Sequence, residues 1–205
     1  GLGYFEYFQL CEDIGAKPLP VLPAAVSCQN SGGTWRIGGT GQRALPLEEM
    51  KAYIQEVLDL IEWANGPVTS VWGAKRAAAG HPEPFNLQYV CIGNEDKITL
   101  EFEQRFKMIF DALKIKHPVI TVVGTSGPFP DGDDFTKGWS YANLHHIPVV
   151  DEHYYKEPDW MMKNLNRYDS YDRNKSKVYL GEYASWGNKV KNAITEAAYM
   201  VGLER

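Results

Sequence analysis

A parallel α/β fold, either an open sheet or a barrel, is predicted by three observations. Short β-branched runs recur along the chain, amphipathic helical patterns lie between them, and the two alternate at a near-constant interval. The runs are "KPLPVLPAAV" (17–26), "LQYVCIG" (87–93), "VITVVGT" (119–125), "IPVVDEHYY" (147–155) and "KVYLGEYA" (177–184). Near-continuous apolar character over four to six residues marks strands buried on both faces of a parallel sheet. With Ile92, Val122, Val150 and Leu180 as strand centres the spacings are 30, 28 and 30 residues. That interval is one strand plus one helix, and four such units in a row point to a parallel sheet or barrel.

The elements follow in order. "GLGYFEYFQLCEDIG" reads as a helix feeding the first strand. In "PLEEMKAYIQEVLDLIEWANG" the residues Met50, Tyr53, Ile54, Val57, Leu60, Ile61 and Ala64 recur at three and four, Pro46 suits the first turn and Gly66 the stop. "TLEFEQRFKMIFDALKIKHP" places Phe102, Phe106, Ile109, Phe110 and Leu113 on one face, with Thr99 as cap and Pro118 beyond the end. The first unit is longer, because a Gly-rich stretch, "SCQNSGGTWRIGGTGQRAL", and a second one, "GPVTSVWGAKRAAAGHPEPFN", both read as loops. Long loops at the carboxyl ends of strands are where barrel enzymes build their sites. Five strands in 205 residues fall short of a closed eight-stranded barrel, which typically needs about 250.

Composition narrows the function classes. Hydrophobic residues make up 44% and charged residues 23%, the balance of a globular protein. A net charge of -5 with no long basic run gives nucleic acid or an anionic membrane nothing to hold. Six Trp and twelve Tyr offer flat apolar faces with polar edges, which suit sugar rings, although any single one is more simply core. Cys11, Cys28 and Cys91 are widely and irregularly spaced and read as free thiols. No apolar stretch reaches membrane-spanning length, and "GLGYFEYF" has neither a basic start nor a cleavage site, so the compartment stays open between cytoplasm and export.

Two carboxylates then stand out. Glu95 follows "YVCIGN" and Glu182 follows "KVYLG", both at carboxyl ends of βα strands and 87 residues, or three units, apart. In a barrel such ends share one face, so the two side chains aim across one pocket. A facing pair of carboxylates is what glycoside hydrolysis requires: one protonated to serve the departing oxygen, the other ionised to attack the anomeric carbon. Either glutamate alone reads more simply as a solvated strand end or a salt bridge, and Glu152 also sits near a strand end.

"CIGNED" with "GHPEPFNLQY" ahead of it, "VVDEHYY", "YLGEYAS" and "NAITEAAYMVGLER" together resemble the family 51 glycoside hydrolases, whose main activity is α-L-arabinofuranosidase. The likeness runs in order along residues 1–205. It implies a (β/α)8 TIM barrel, present here as a partial barrel of about strands three to seven, with the first two strands, the eighth and the family's C-terminal β-sandwich lacking counterparts. Residues 1–205 are then expected to be a fragment of one catalytic domain, inactive and poorly stable alone. By the same resemblance Glu95 matches the general acid/base and Glu182 the nucleophile of a retaining double displacement. Asn94 matches the asparagine that bonds the sugar 2-hydroxyl; His153 and Tyr155 match groups beside the nucleophile that keep it ionised and oriented; Trp186 matches an aromatic wall of the pocket. Trp35 is a further subsite candidate without an aligned counterpart. No metal or cofactor is implied, the partner is an arabinofuranose-containing oligosaccharide or polysaccharide, and a homo-oligomer of the full-length protein is left open. Two alternatives stand beside this: another retaining clan member (β-xylosidase, endo-glucanase or endo-xylanase) and a barrel that binds carbohydrate without cleaving it.

Overall fold

The computed structural model describes residues 2–30 and 41–204. Five strands, β1 (Val21–Leu22), β2 (Tyr89–Ile92), β3 (Thr121–Thr125), β4 (Val149–Lys156) and β5 (Lys177–Ser185), form one sheet in chain order. Every neighbouring pair is parallel. An order that never reverses needs crossovers of one hand, which keep the helices on one face; this is an arc of a barrel and not a doubly wound sheet. The helices are α1 (Tyr4–Asp13), α2 (Met50–Asn65), α3 (Val71–Ala78), α4 (Leu100–Lys116), α5 (Asp133–His145), α6 (Pro158–Lys163) and α7 (Val190–Leu203).

The stripes read from the sequence are the buried ones. Met50, Val57, Ile61 and Ala64 of α2 and Phe102, Phe106, Ile109, Phe110 and Leu113 of α4 join Phe8 of α1 in one core against Val90, Ile92, Val122 and Val150. Each such side chain contributes roughly 1.5–3 kcal/mol on burial, so this layer fixes the helices to the outer face of the sheet. A smaller core of Tyr154, Met161 and Tyr199 does the same for α6 and α7 beneath β4 and β5. Alternation along the strands leaves Cys91, Asp151 and His153 on the opposite face, where the barrel interior lies.

Three local expectations differ from the structure. Within 17–26 only Val21 and Leu22 are strand, because Pro18, Pro20 and Pro23 lack the N–H a ladder needs; the Pro20 and Leu22 carbonyls still accept from Cys91 and Gly93 at 2.9 and 2.7 Å. Pro46 caps a 3-10 turn at Leu47–Glu49 and α2 starts only at Met50. The stretch after Gly66 is not all loop: it holds α3, whose cap Ser70 accepts from the Gly73 N–H at 3.1 Å. Arg76 of α3, fully buried, locks it to α2 by donating to the carbonyls of Trp63, Ala64 and Gly66 as well as His81 and Pro82.

The sheet ends in two uncovered strands, with Val21 on β1 and Tyr179 on β5 47% and 40% exposed. All three cysteines are free thiols. Among the described residues no helix is long and apolar enough to cross a membrane.

Candidate active site

The turn after β2 sets the first carboxylate. Gly93 takes a φ of 93°, and a Cβ there would lie 2.6 Å from Asp96 Oδ2, so the turn closes only on glycine. Two residues on, Glu95 itself is left-handed at φ 55°, a conformation costing on the order of 1 kcal/mol for a residue with a Cβ. The surroundings hold it there. Asp96 Oδ2 accepts from the Asn94 N–H at 2.9 Å, and Asp134 Oδ1 accepts from the Ile98 N–H at 2.8 Å. Glu95 is thereby turned into the pocket with 28% of its side chain exposed.

The second carboxylate depends on a register shift. Asp151 pairs with Tyr179 and Glu152 with Leu180, but His153 pairs with Glu182, so β5 carries one extra residue, Gly181. Strict alternation from Tyr179 would turn Glu182 outward to the helices; the bulge at Gly181 returns it to the inner face beside His153. The freed Gly181 N–H donates to Asp151 Oδ1 at 2.8 Å. A Cβ at Gly181 would sit 2.5 Å from that same oxygen.

His153 stands between the carboxylates. Its Nδ1 lies 3.0 Å from Glu95 Oε1 and 3.7 Å from Glu182 Oε2, and its Nε2 lies 3.1 Å from Asp151 Oδ2. Burial works against the imidazolium, but the hydrogen bonds to Asp151 and Glu95 and the charges of Asp151 and Glu182 prevail and push its pKa up to about 9. The Tyr155 hydroxyl donates to Glu182 Oε2 at 2.7 Å. That bond, then burial and the charges of Glu182 and Glu95, pushes the phenol up to about 12, so it remains a donor.

Donor atoms of Glu95, His153 and Glu182 all lie within 4.8 Å of one another, close enough to reach one cation. Both imidazole nitrogens, however, already face carboxylate oxygens, so a metal ion would first have to break that network. Beside the carboxylates opens a cleft of about 670 Å3 lined by Glu95, Phe129, Tyr155, Trp160 and Trp186. Aromatic walls next to a carboxylate pair suit the apolar faces of a sugar.

The family described as "Alpha-L-arabinofuranosidase 1 domain" matches residues 1–173. The chain belongs to this family. Over its whole length it is 50% identical to a Streptomyces chartreusis protein named extracellular exo-alpha-L-arabinofuranosidase, covering 24% of that protein, and 32% identical to Arabidopsis thaliana alpha-L-arabinofuranosidase 2, covering 28%. The arabinose-bound structure of the MgGH51 α-L-arabinofuranosidase superposes with a TM-score of 0.77 at 30% identity, over 99% of this chain and 32% of the other. The arabinose complex of the Thermotoga maritima α-L-arabinofuranosidase, at 18% identity and a TM-score of 0.66, shares the fold. The chain thus spans about a quarter to a third of the length of these relatives, and its five strands are part of a (β/α)8 barrel.

In this arabinofuranosidase-family chain, Glu95, His153, Tyr155 and Glu182 meet as two hydrogen-bonded pairs, Glu95 with His153 and Glu182 with Tyr155, joined by the 3.7 Å approach of His153 Nδ1 to Glu182 Oε2. Trp186, 58% exposed, lines the adjoining cleft. Asn94 is exposed and lines a neighbouring groove with Leu22, Ser27 and Asp96, one residue along from Glu95 but outside the cleft with Trp186. Trp35 lies outside the described residues. His153, expected beside the nucleophile, has Glu95 as its nearer carboxylate partner at that nitrogen. Glu152, the rival carboxylate, points the other way: fully buried against the helices, it accepts from Trp139 Nε1, Tyr171 and Tyr168 at 2.8, 2.8 and 3.0 Å. Sequence reasoning missed Asp151 and the cleft aromatics Phe129 and Trp160. For Asp151 the signal was available: it shares the alternation of His153 and Tyr155 within "VVDEHYY".

Proposed function

We propose that this chain is the site-bearing part of a retaining glycoside hydrolase that releases α-L-arabinofuranosyl groups from arabinose-containing oligosaccharides or polysaccharides. The observation that carries the reading is the approach of Glu95 and Glu182 oxygens to within 4.8 Å, with a phenol on one and an imidazole between them. That approach supports retention, for which the carboxyl groups stand about 5–5.5 Å apart, over inversion, for which they stand about 6.5–9.5 Å apart.

In the first step Glu182, ionised and oriented by the Tyr155 hydroxyl, attacks the anomeric carbon while Glu95 gives its proton to the leaving oxygen. A glycosyl ester on Glu182, a carboxylate on Glu95 and a free alcohol result. In the second step Glu95 takes a proton from water, whose oxygen displaces Glu182 and regenerates both carboxyl states. Asn94 is assigned to the sugar 2-hydroxyl and Trp186 to the wall of the sugar site. The leaving sugar is assigned to the cleft with Phe129 and Trp160, because the cleft borders the proton donor. The remaining strands of the barrel are proposed to come from outside residues 1–205, as the uncovered edges at β1 and β5 and the fractional coverage of the relatives suggest.

The test uses the full-length protein and an aryl α-L-arabinofuranoside. Glu182→Ala is expected to abolish turnover, and Glu95→Ala to lower it about 10²–10⁴-fold, least for the best leaving groups. Activity surviving Glu182→Ala would remove the mechanism, and faster turnover of a polymeric glucan than of the arabinofuranoside would remove the substrate assignment.

A further inference from the structure

Asp151 makes no contact with the cleft, yet it is the group on which both carboxylates converge. It is 5% exposed, it holds Nε2 of His153 with one oxygen, and it holds the Gly181 N–H that marks the bulge before Glu182 with the other. Asp151 lies 3.1 Å from Nε2, and whichever of Glu95 and Glu182 is ionised lies within 3.7 Å of Nδ1, so two negative charges face the imidazole at each stage and favour its cationic form. We propose that Asp151 is a positioning residue that keeps His153 cationic, as a fixed counter-charge shared by Glu95 and Glu182 while negative charge passes from one to the other. The inference rests on the mechanism proposed above.

The charge balance shows why a shared cation is useful there. Before reaction Glu182 is ionised and Glu95 holds the proton. After the glycosyl ester forms, Glu182 is neutral and Glu95, having lost its proton to the leaving group, is ionised. The sum over the two is minus one throughout, and only its location moves. Nδ1 lies 3.7 Å from the first carboxylate and 3.0 Å from the second, so a protonated His153 faces the negative charge in both states without moving. A donor already aimed at the place where charge develops lowers the barrier without reorganisation. His153 itself neither gains nor loses a proton in the cycle.

The groups facing this pair are consistent with that role. Against burial, His153 is raised by Asp151 from its own strand through a hydrogen bond and its charge, by Glu95 from the turn after β2 through a hydrogen bond, and by the charge of Glu182 from β5. Asp151 is faced by Cys91 of β2 and Tyr179 of β5, and its charge helps drive both toward their neutral forms; burial is the larger cause in each. Asp96 adds its charge at Cys91.

Asp151→Asn is the discriminating variant in the full-length protein. The amide oxygen can still accept from Gly181, while its NH2 turns to Nε2, so the geometry is kept and the counter-ion is lost. The expected result is a loss in kcat/KM of at least about tenfold at pH 7.5 that shrinks to within about threefold at pH 5.5, as acid restores the imidazolium. The titration of His153 itself, followed by nitrogen NMR, is expected near pH 9 in the parent protein and should move down by about two and a half pH units, into the ordinary imidazole range, in the variant. At pH 7.5 the ring should be protonated in the parent and largely neutral in the variant. His153→Gln should lower kcat/KM at pH 7.5 by at least as much as Asp151→Asn, and Asp151→Asn/His153→Gln should be no worse than His153→Gln alone. A loss that is uniform across pH, an unmoved His153 titration or additive losses in the double variant would overturn the inference. Should Asp151→Asn fail to fold, a His153 ring that is neutral at pH 7.5 in the parent overturns it equally. Glu182→Ala in the same assay separates the two claims: if it is inactive and the Asp151 results fail, the mechanism stands and this inference falls.

Discussion

The Gly181 N–H donates to Asp151 Oδ1 at 2.8 Å, and this bond marks the residue at which β5 changes face. Had β5 kept its alternation, Glu182 would have joined Leu180 against the helices. A parallel strand whose alternation would send Glu182 to the helices thus delivers its carboxylate to the interior through a single inserted glycine. The site follows from pairing as much as from side-chain chemistry.

Gly181→Ala is the first expected outcome to check. The new Cβ would lie 2.5 Å from Asp151 Oδ1, so either the bulge or the aspartate must move, and with it Glu182 or His153. Displacements of about 1 Å in a catalytic group cost on the order of 10²-fold, so kcat should fall by about that factor. Steady-state kinetics on an aryl arabinofuranoside read it directly. Retention of kcat within threefold would show that the bulge does not position the nucleophile.

Tyr155→Phe removes the hydroxyl that donates to Glu182 Oε2 at 2.7 Å and leaves the ring in place. Loss of one preorganised donor at a reacting carboxylate is expected to lower kcat by on the order of 10²-fold. Because the phenol titrates only at about 12, the parent pH profile should carry no limb from Tyr155 below pH 10. A profile from pH 5 to 10 for parent and variant checks both points.

Asp96 gives a stability prediction. It is 3% exposed; burial raises its carboxyl, the Asn94 N–H opposes that, the Glu95 charge adds to it, and the net result is about 7. The folded state therefore binds this proton more tightly than the unfolded chain, whose aspartates titrate at about 3.9. Stability from this group is present below about pH 4 and is lost as pH rises toward 7, the reverse of a salt-bridged aspartate. Asp96→Asn keeps an acceptor for the Asn94 N–H and cannot ionise. Calorimetry should find its Tm close to the parent at pH 4.5 and about 2–5 °C higher at pH 7.5. A gap that closes with rising pH would contradict the assignment.

Much of this architecture was legible because it rests on periodicity. The stripes of α2 and α4 and the spacing of Ile92, Val122, Val150 and Leu180 each follow from local geometry. Glu95 and Glu182 were legible as strand-end carboxylates at matched positions. What escaped depends on two segments at once. The register shift at Gly181 is a property of β4 and β5 together, and nothing in "YLGEY" alone marks it. Asp151 and Glu152 are neighbours of like chemistry whose faces differ only once the sheet exists. The helix α3 was hidden by Gly73 inside it and by flanking residues that read as turns, while its anchor, Arg76, works through carbonyls of a different helix.

Glu152 supplies the last prediction, which separates a structural carboxylate from a catalytic one. It is fully buried between Trp139, Tyr168 and Tyr171, with Arg167 Nε 3.6 Å away. Arg167 in turn lies against the rings of Phe135 and Tyr154 at 5.0 Å and of Trp160 at 5.9 Å, and bonds the carbonyl of Pro130 at the cleft wall. Glu152→Ala would leave three donors unsatisfied and a half-enclosed guanidinium without its counter-charge. Removing one partner of such a buried pair costs about 3–5 kcal/mol, and denaturant unfolding of the full-length protein should show a loss of that size. Glu152→Gln, which keeps the acceptor oxygen, should lose about half as much. The folded fraction should retain kcat within about tenfold, the residue acting only through the set of Trp160 and Pro130. A fall in kcat to the level of Glu182→Ala with stability unchanged would mean that Glu152 belongs to the site after all.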